Sequence, residues 1–282
     1  MSFDSTGKVS LDHIYTQPDP RGYFSTLSKL GYCIPQLAKP YFEKLIEASR
    51  HARGEPVKKV LDIGCSYGIN AALLKCDLSM DDLYARYGSA AAAGRSTAEL
   101  LAADQALLAR KRRFPQTRFV GLDVSAPALR YGADAGYLDD GIQADLEQQP
   151  ADPQTRARLS GSDLVISTGC LGYVTDKTLL QVLAAQGDRR PIMAHFVLRM
   201  FPFDSLQARL RALDYETTKV GQVFKQRRFA SAREQEQILD TLADVRVDPK
   251  GLESEGWLYA HLYVSRPRDQ ARRLAWPEMS VV

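Results

Sequence analysis

The residues Asp62, Gly64, Ser66 and Gly68, spaced D-x-G-x-S-x-G within VKKVLDIGCSYGIN (57–70), are the first in the chain whose types and spacing suggest chemistry. An acid closes an apolar run, two glycines follow four residues apart, and a helix-like pattern begins at once. A turn between a buried strand and a helix brings its backbone against a ligand only where side chains are missing. The helix start adds free amide groups and the positive end of its dipole. The spacing is not the G-x-G-x-x-G of dinucleotide binders. Further along, polar residues close other apolar runs: Asp123 in FVGLDVS, Asp145 in GIQADLE, and Ser167 and Thr168 in SDLVISTG. His195 lies inside a fifth run and reads first as a satisfied core histidine, whereas His13 and His51 read as surface residues. Cys33, Cys65, Cys76 and Cys170 lack the paired spacing that frames a zinc site, so no metal is expected and the thiols read as free.

The elements that must position these residues alternate. Strand patterns at 58–64, 118–125, 141–147, 162–169 and 190–199 are mostly separated by helical patterns, and their short apolar runs suit strands buried on both faces. Strands joined through helices pair in parallel by crossovers, which predicts an α/β doubly wound, Rossmann-like sheet of seven strands. The last strand, 256–266, pairs with one around 216–228 to give an antiparallel edge. Helical patterns in 19–54 predict an N-terminal helical cap over residues 1–56, followed by a catalytic domain over 57–267 and a C-terminal tail over 268–282. Residues 76–114 exceed what one crossover needs and predict an insertion of two helices, hinged at SAAAAGRS and folding partly over the site as a lid.

Composition sets the background. With 282 residues, 45% hydrophobic and 25% charged, the chain is that of an ordinary globular protein with one core and additions. The 37 basic residues against 34 acidic ones make no field strong enough to argue for nucleic acid or a membrane surface. RKRRF (110–114) and KQRRF (225–229) read as solvated charge, although the second could guide an anionic substrate. No apolar run reaches a membrane span, and the N-terminus has no basic head leading into an apolar core; a cytoplasmic location is expected.

Taken in order, the motifs resemble those of the class I S-adenosylmethionine-dependent methyltransferases, whose first motif sets an acid two residues before a G-x-G-x-G turn. Ser66 stands here for the middle glycine. The resemblance is close over residues 57 to about 200 and covers the rest in outline. It implies S-adenosylmethionine (SAM) as cofactor, with Gly64, Ser66 and Gly68 against its amino-acid end and Asp62 acting through the loop or a water. It places Asp123 on the ribose hydroxyls with Val124 beside it, and Asp145 and Leu146 at the adenine. Ser167 and Thr168 stand beside the amino-acid moiety.

Methyl transfer is an in-line displacement, so much of the catalysis is positioning, with a base useful where the acceptor carries a proton. The loop STGCLGYV after the fourth strand has no acid, histidine or asparagine and is not the N/D-P-P-Y/F signature of enzymes that methylate macromolecular nitrogens. It offers Tyr173, whose ring can face a sulfonium, and leaves His195 as the candidate base. Aromatics in MFPFD (200–204), at Tyr15 and in GYF (22–24) suggest an enclosed aromatic pocket for a small molecule, in keeping with specialised metabolism. The stripe Trp257, Tyr259, His261 and Tyr263 reads as packing. The expectation is a methyltransferase with a small-molecule substrate. Its alternatives are a cyclase, in which the SAM amino group attacks its own side chain to release methylthioadenosine and form a small ring such as azetidine-2-carboxylate, and a non-catalytic SAM-binding module. Acceptor and oligomeric state are not specified.

Overall fold

A computed structural model describes residues 8, 9 and 11–271, with the backbone alone for 51–53. The expected tail therefore lies outside the described residues except for one helical turn, as does the side chain of His51. The chain opens with three helices, α1 (Asp12–Tyr15), α2 (Arg21–Lys29) and α3 (Ile34–Arg53). It continues through β1 (Lys59–Ile63), α4 (Ile69–Cys76), α5 (Met80–Gly88), α6 (Ala90–Ala93), α7 (Thr97–Arg110), β2 (Arg118–Asp123), α8 (Ala126–Asp134) and β3 (Asp140–Gln143). The second half runs α9 (Pro153–Leu159), β4 (Leu164–Thr168), α10 (Asp176–Ala184), β5 (Ile192–Leu198), α11 (Asp204–Ala212), β6 (Tyr215–Arg228), α12 (Ala232–Asp244), β7 (Trp257–Pro267) and α13 (Arg268–Ala271).

The strands form one seven-stranded sheet in the order β3-β2-β1-β4-β5-β7-β6. β1 to β5 pair in parallel, and β7 inserts antiparallel between β5 and β6. This is the expected Rossmann-like arrangement. The order reverses beside β1, and an open sheet of this kind places ligands in the crevice outside the carboxyl ends of its strands at that switch. Helices cover both faces. Residues of α3, α4 and α8, among them Phe42, Leu45, Leu74 and Leu129, pack against Val60, Phe119 and Ile166 on one side. Leu159, Val182 and Leu210 from α9, α10 and α11 pack against Leu61, Val165 and Met193 on the other. Strands buried on both sides explain why their sequences are apolar throughout rather than alternating.

Four expectations are corrected. Helix α9 was not anticipated between β3 and β4, although Asp152 caps it through the Thr155 N–H at 2.6 Å and Pro153 opens it, both start signals. β3 stops at Gln143 rather than 147, because its only ladder partner, β2, ends at Asp123, which pairs with Gln143. The 76–114 insertion holds three helices, not two, since SAAAA forms the short α6 capped by the Ser89 hydroxyl.

The insertion also is not a lid. It packs beside the cap: Tyr87 stacks on Phe24 at 4.8 Å, and the fully buried Asp104 accepts from Arg86, Tyr87 and Tyr131. Nothing from 76–114 lines the cavity described below.

Candidate functional site

At the end of β1 the chain turns through Gly64 (φ +66°), Ser66 (φ +51°) and Gly68 (φ +77°) before α4 begins. Gly64 is required twice over: its backbone is left-handed, and a side-chain carbon there would lie 2.6 Å from Cys170 Cβ. Ser66 holds a left-handed conformation that glycine adopts at less cost. The turn is fastened to β2, with Gly64 N–H donating to the Leu122 carbonyl at 2.8 Å and Ser66 N–H to Asp123 Oδ2 at 2.8 Å. Asp123 Oδ1 accepts from the Ser125 N–H at 2.9 Å. Burial raises the pKa of Asp123, opposed by these amide donors, so the carboxylate is oriented by backbone and still faces the cavity.

Asp62 lies beneath the turn. Asn70, from the first turn of α4, donates through Nδ2 to both Asp62 oxygens at 3.1 and 3.2 Å and to Thr168 Oγ1 at 3.2 Å. Burial pushes the Asp62 carboxyl up to about 8, with the Asn70 bonds pulling the other way. One side chain thus ties the ends of β1 and β4 to α4.

These elements bound a cavity of about 650 Å³, within the range of small-molecule sites. Its opposite wall is the N-terminal cap. Tyr15, Tyr23 and Tyr32 line it, with Tyr23 edge-on to Tyr15 at 5.7 Å and to Tyr32 at 6.3 Å. Tyr32 and Thr168 line the same cavity, so cap and sheet meet there. Tyr67, in the glycine turn, reaches up to donate to the carbonyls of Ile14 and Gln17, and so holds α1 in place. The cap is also fastened to β6, where Cys33 N–H donates to the Gln226 carbonyl at 2.9 Å and Arg228 N–H to that of Leu30 at 2.7 Å.

Of the residues anticipated from sequence, Gly64, Ser66, Asp123, Val124, Asp145, Leu146, Thr168 and Tyr173 line the cavity. Asp145 lies beyond β3 in a loop, its Oδ1 accepting the Glu147 and Gln148 amides at 3.1 and 3.2 Å. Tyr173 is 41% exposed and has the Lys8 ammonium 4.7 Å from its ring centroid, so one cation already occupies that ring. Gly68 starts α4 behind the wall, packed on Leu138. Two placements are corrections. Ser167 is fully buried with its hydroxyl 2.8 Å from His195 Nδ1, because residues alternate along a strand and only Thr168 turns toward the cavity. His195 is likewise fully buried in mid-strand and does not line the cavity; burial depresses its pKa to about 3, which makes it a neutral core group and not a base.

The anticipated aromatic contributors also divide. Phe201 and Phe203 lie outside the cavity, Phe203 stacked on Tyr263 at 4.1 Å, and Phe24 belongs to the cap core. Trp257, Tyr259, His261 and Tyr263 line none of it. The segment KQRRF is not simply solvated charge: Arg227 is 4% exposed, lines the cavity, and pairs with Glu234 through both Nη atoms at 2.6 and 2.9 Å. Glu234 also accepts from the amides of Val9 and Ala230, at 2.8 and 2.7 Å.

No family model matches the chain, and no curated protein matches its sequence. Similar solved structures exist. The plantazolicin methyltransferase BpumL, in complex with a triazolic desmethylPZN analog and SAH, is 12% identical over 92% of this chain and 95% of its own, with a TM-score of 0.45. A SAM-dependent methyltransferase from Geobacter sulfurreducens in complex with S-adenosyl-L-homocysteine is 14% identical over 80% of this chain and 91% of its own (TM-score 0.35). The [4+2]-cyclase SpnF is 14% identical over 79% and 80% (TM-score 0.39). The fold assignment rests on the strand order itself, not on these likenesses.

Among the wall residues that sequence reasoning missed are Asn70, Tyr32, Gln226 and Arg227. Asn70 carried a signal, a lone amide in the otherwise apolar INAALL. The other three reach the site from the cap and the far edge strand, and no local pattern marks them.

Proposed function

We propose that the protein is a SAM-dependent methyltransferase acting on a small-molecule acceptor held between the glycine turn and the tyrosines of the cap. One observation carries this reading: Asp123, its carboxylate oriented by the Ser66 and Ser125 amides, faces the same cavity as Ser66 and Asn70, whose enclosed Oγ and Oδ1 have no hydrogen-bond partner among the described residues. Buried polar groups without partners are costly, and a site built for a polar ligand is where they persist. The residues fit SAM. Asp123 accepts from the ribose hydroxyls, Val124 and Leu146 flank the adenine with Asp145, and the Gly64–Ser66 turn, Asn70 and Thr168 receive the amino-acid end. When bound there, SAM supplies an electrophilic methyl carbon.

The chain's own contribution to the transfer is placement and exclusion of water. Tyr15 and Cys170 line the cavity, and burial pushes each up to about 12, so both stay protonated at neutral pH and neither serves as a ready base. The same two shifts keep a second reading open to test, a cyclase that needs no acceptor base. Incubation with SAM alone separates them. Methyl transfer predicts S-adenosylhomocysteine (SAH) only when an acceptor is present; release of methylthioadenosine without one would establish the cyclase. Failure of both SAM and SAH to bind in calorimetry would reject both.

A further inference from the structure

We infer that Gln226 is the specificity-determining residue of the acceptor subsite, and that it selects an uncharged heterocycle whose edge presents a hydrogen-bond donor beside an acceptor, as a lactam does. This rests on the proposed methyltransferase reading. Gln226 lies where the β6–β7 register shifts between Lys225 and Arg227, so it is the extra residue of a β-bulge. Bulges redirect a side chain, and they recur beside active sites. Here the redirected side chain lines the cavity while the backbone carbonyl holds the cap at Cys33.

The amide is 4% exposed, and its Oε1 is enclosed without a partner. Its Nε2 lies against Gly169, where a side-chain carbon would collide with it; Gly169 also lines the cavity, immediately after the Thr168 end of β4. A glutamine therefore stands at the junction between the Thr168 end of the cofactor wall and the tyrosine wall, its amide nitrogen closely fitted to a glycine and its oxygen without a partner among the described residues. An amide has two donors and two acceptor positions, and leaving the oxygen idle in a buried site is a cost that a matching ligand donor removes while the nitrogen offers it a donor in return. The terminal torsion of glutamine is broad, so the plane can turn to meet such an edge.

The charge adjoining Gln226 is compensated, which offers an ionic ligand no free partner at that point. Arg227 is taken up by Glu234 through both Nη atoms, leaving the pair neutral. The rings of Tyr15, Tyr23 and Tyr32 give flat apolar surface for a heterocycle to lie against. A bidentate amide contact is the geometry by which glutamine reads adjacent donor and acceptor atoms on the edge of adenine in DNA. A site built this way discriminates against the analogue lacking one of the two groups far better than an apolar pocket discriminates a methylene.

The test uses quinolin-2(1H)-one, a lactam, and 2-methoxyquinoline, the same ring system without the N–H, titrated by calorimetry into full-length protein saturated with SAH. Wild type should bind the lactam at least tenfold more tightly than the methoxy compound. Gln226→Leu should weaken the lactam at least tenfold, leave the methoxy compound within twofold, and keep SAH affinity within threefold. Equal binding of the two probes by wild type, no binding of the lactam, or equal lactam binding by Gln226→Leu would each overturn the assignment. The two-probe comparison stands even if the variant does not fold. Failure of wild type to bind SAH would instead strike the methyltransferase reading, so the two failures are distinguishable.

Discussion

The two walls of the cavity are built in opposite ways. One is made of strand ends and the turn after β1, so that Gly64, Ser66, Asp123 and Thr168 reach the site from short segments whose local sequence already dictates their positions. The other is assembled from Tyr15, Tyr23 and Tyr32 of the cap and Gln226 of β6, residues about 200 apart in the chain and brought together only by tertiary contacts such as Cys33 N–H to the Gln226 carbonyl. A wall set by backbone geometry tolerates little change, because its left-handed φ values and the amides of Gly64, Ser66 and Ser125 are committed. A wall set by side chains can be redrawn by substitution. Cofactor affinity should therefore depend steeply on the first and weakly on the second, while acceptor choice should show the reverse.

The harshest test of this contrast is Gly64→Ala. The left-handed backbone and the 2.6 Å approach to Cys170 Cβ add strain to overpacking; together they should cost about 2–4 kcal/mol of stability, measured by urea unfolding, and abolish SAH binding. Stability within about 1 kcal/mol of wild type would show that the turn yields and the wall is softer than described.

Next in size is Asp123→Ala. Loss of a charged acceptor is worth about 1.5–3 kcal/mol, so SAH affinity should fall roughly 10- to 100-fold by calorimetry. Tyr15→Phe, on the opposite wall, should leave it within about threefold. Equal losses from the two variants would erase the distinction between the walls.

How much was legible follows the same division. β1, β2, β4 and β5 lie within two residues of their expected limits because strands buried on both faces are nearly continuous apolar runs, which VLDI and VGLD interrupt only with an acid at or next to the end. Asp123 and Thr168 were legible for that reason. His195 and Ser167 were misplaced because their position along a strand says nothing of which face they take, and burial then removed both from the cavity. The insertion was read as a lid from its length, whereas its direction is set by Asp104 and Tyr87 finding Tyr131 and Phe24, contacts 27 and 63 residues distant in sequence. Gln226 depended on a bulge, which one strand's sequence does not disclose without its partner's register.

The acid beneath the turn gives a pH-dependent version of the comparison. Asp62 has its pKa raised to about 8, so between about pH 4, near the unfolded value, and pH 8 the folded state holds a proton that the unfolded state has released. Its contribution to stability is thus complete below about pH 4 and is lost as the pH rises through 8, at no more than about 1.4 kcal/mol per unit. Asn does not titrate, so the melting temperature of Asp62→Asn relative to wild type should climb as the pH is raised from 5 to 8.5. A difference independent of pH would mean that Asp62 is ionised throughout and that Asn70 holds a carboxylate.

The smallest expected effect separates two uses of one side chain. Ser66→Gly relieves a left-handed conformation worth about 1–2 kcal/mol but restores freedom to the unfolded chain worth about 0.5–1 kcal/mol. The variant should therefore be more stable by up to about 1 kcal/mol. Its affinity for SAH should move the other way. Ser66 Oγ is enclosed at the cavity wall without a partner, and losing one neutral hydrogen bond to a ligand costs about 0.5–1.5 kcal/mol, or about two- to tenfold in affinity. Opposed shifts in stability and affinity would mean that the serine stands in place of glycine because its hydroxyl is used. A gain in stability with unchanged affinity would reduce Ser66 to a filler that the turn tolerates, and would shift the search for a ligand contact to Asn70, whose enclosed Oδ1 has no partner among the described residues.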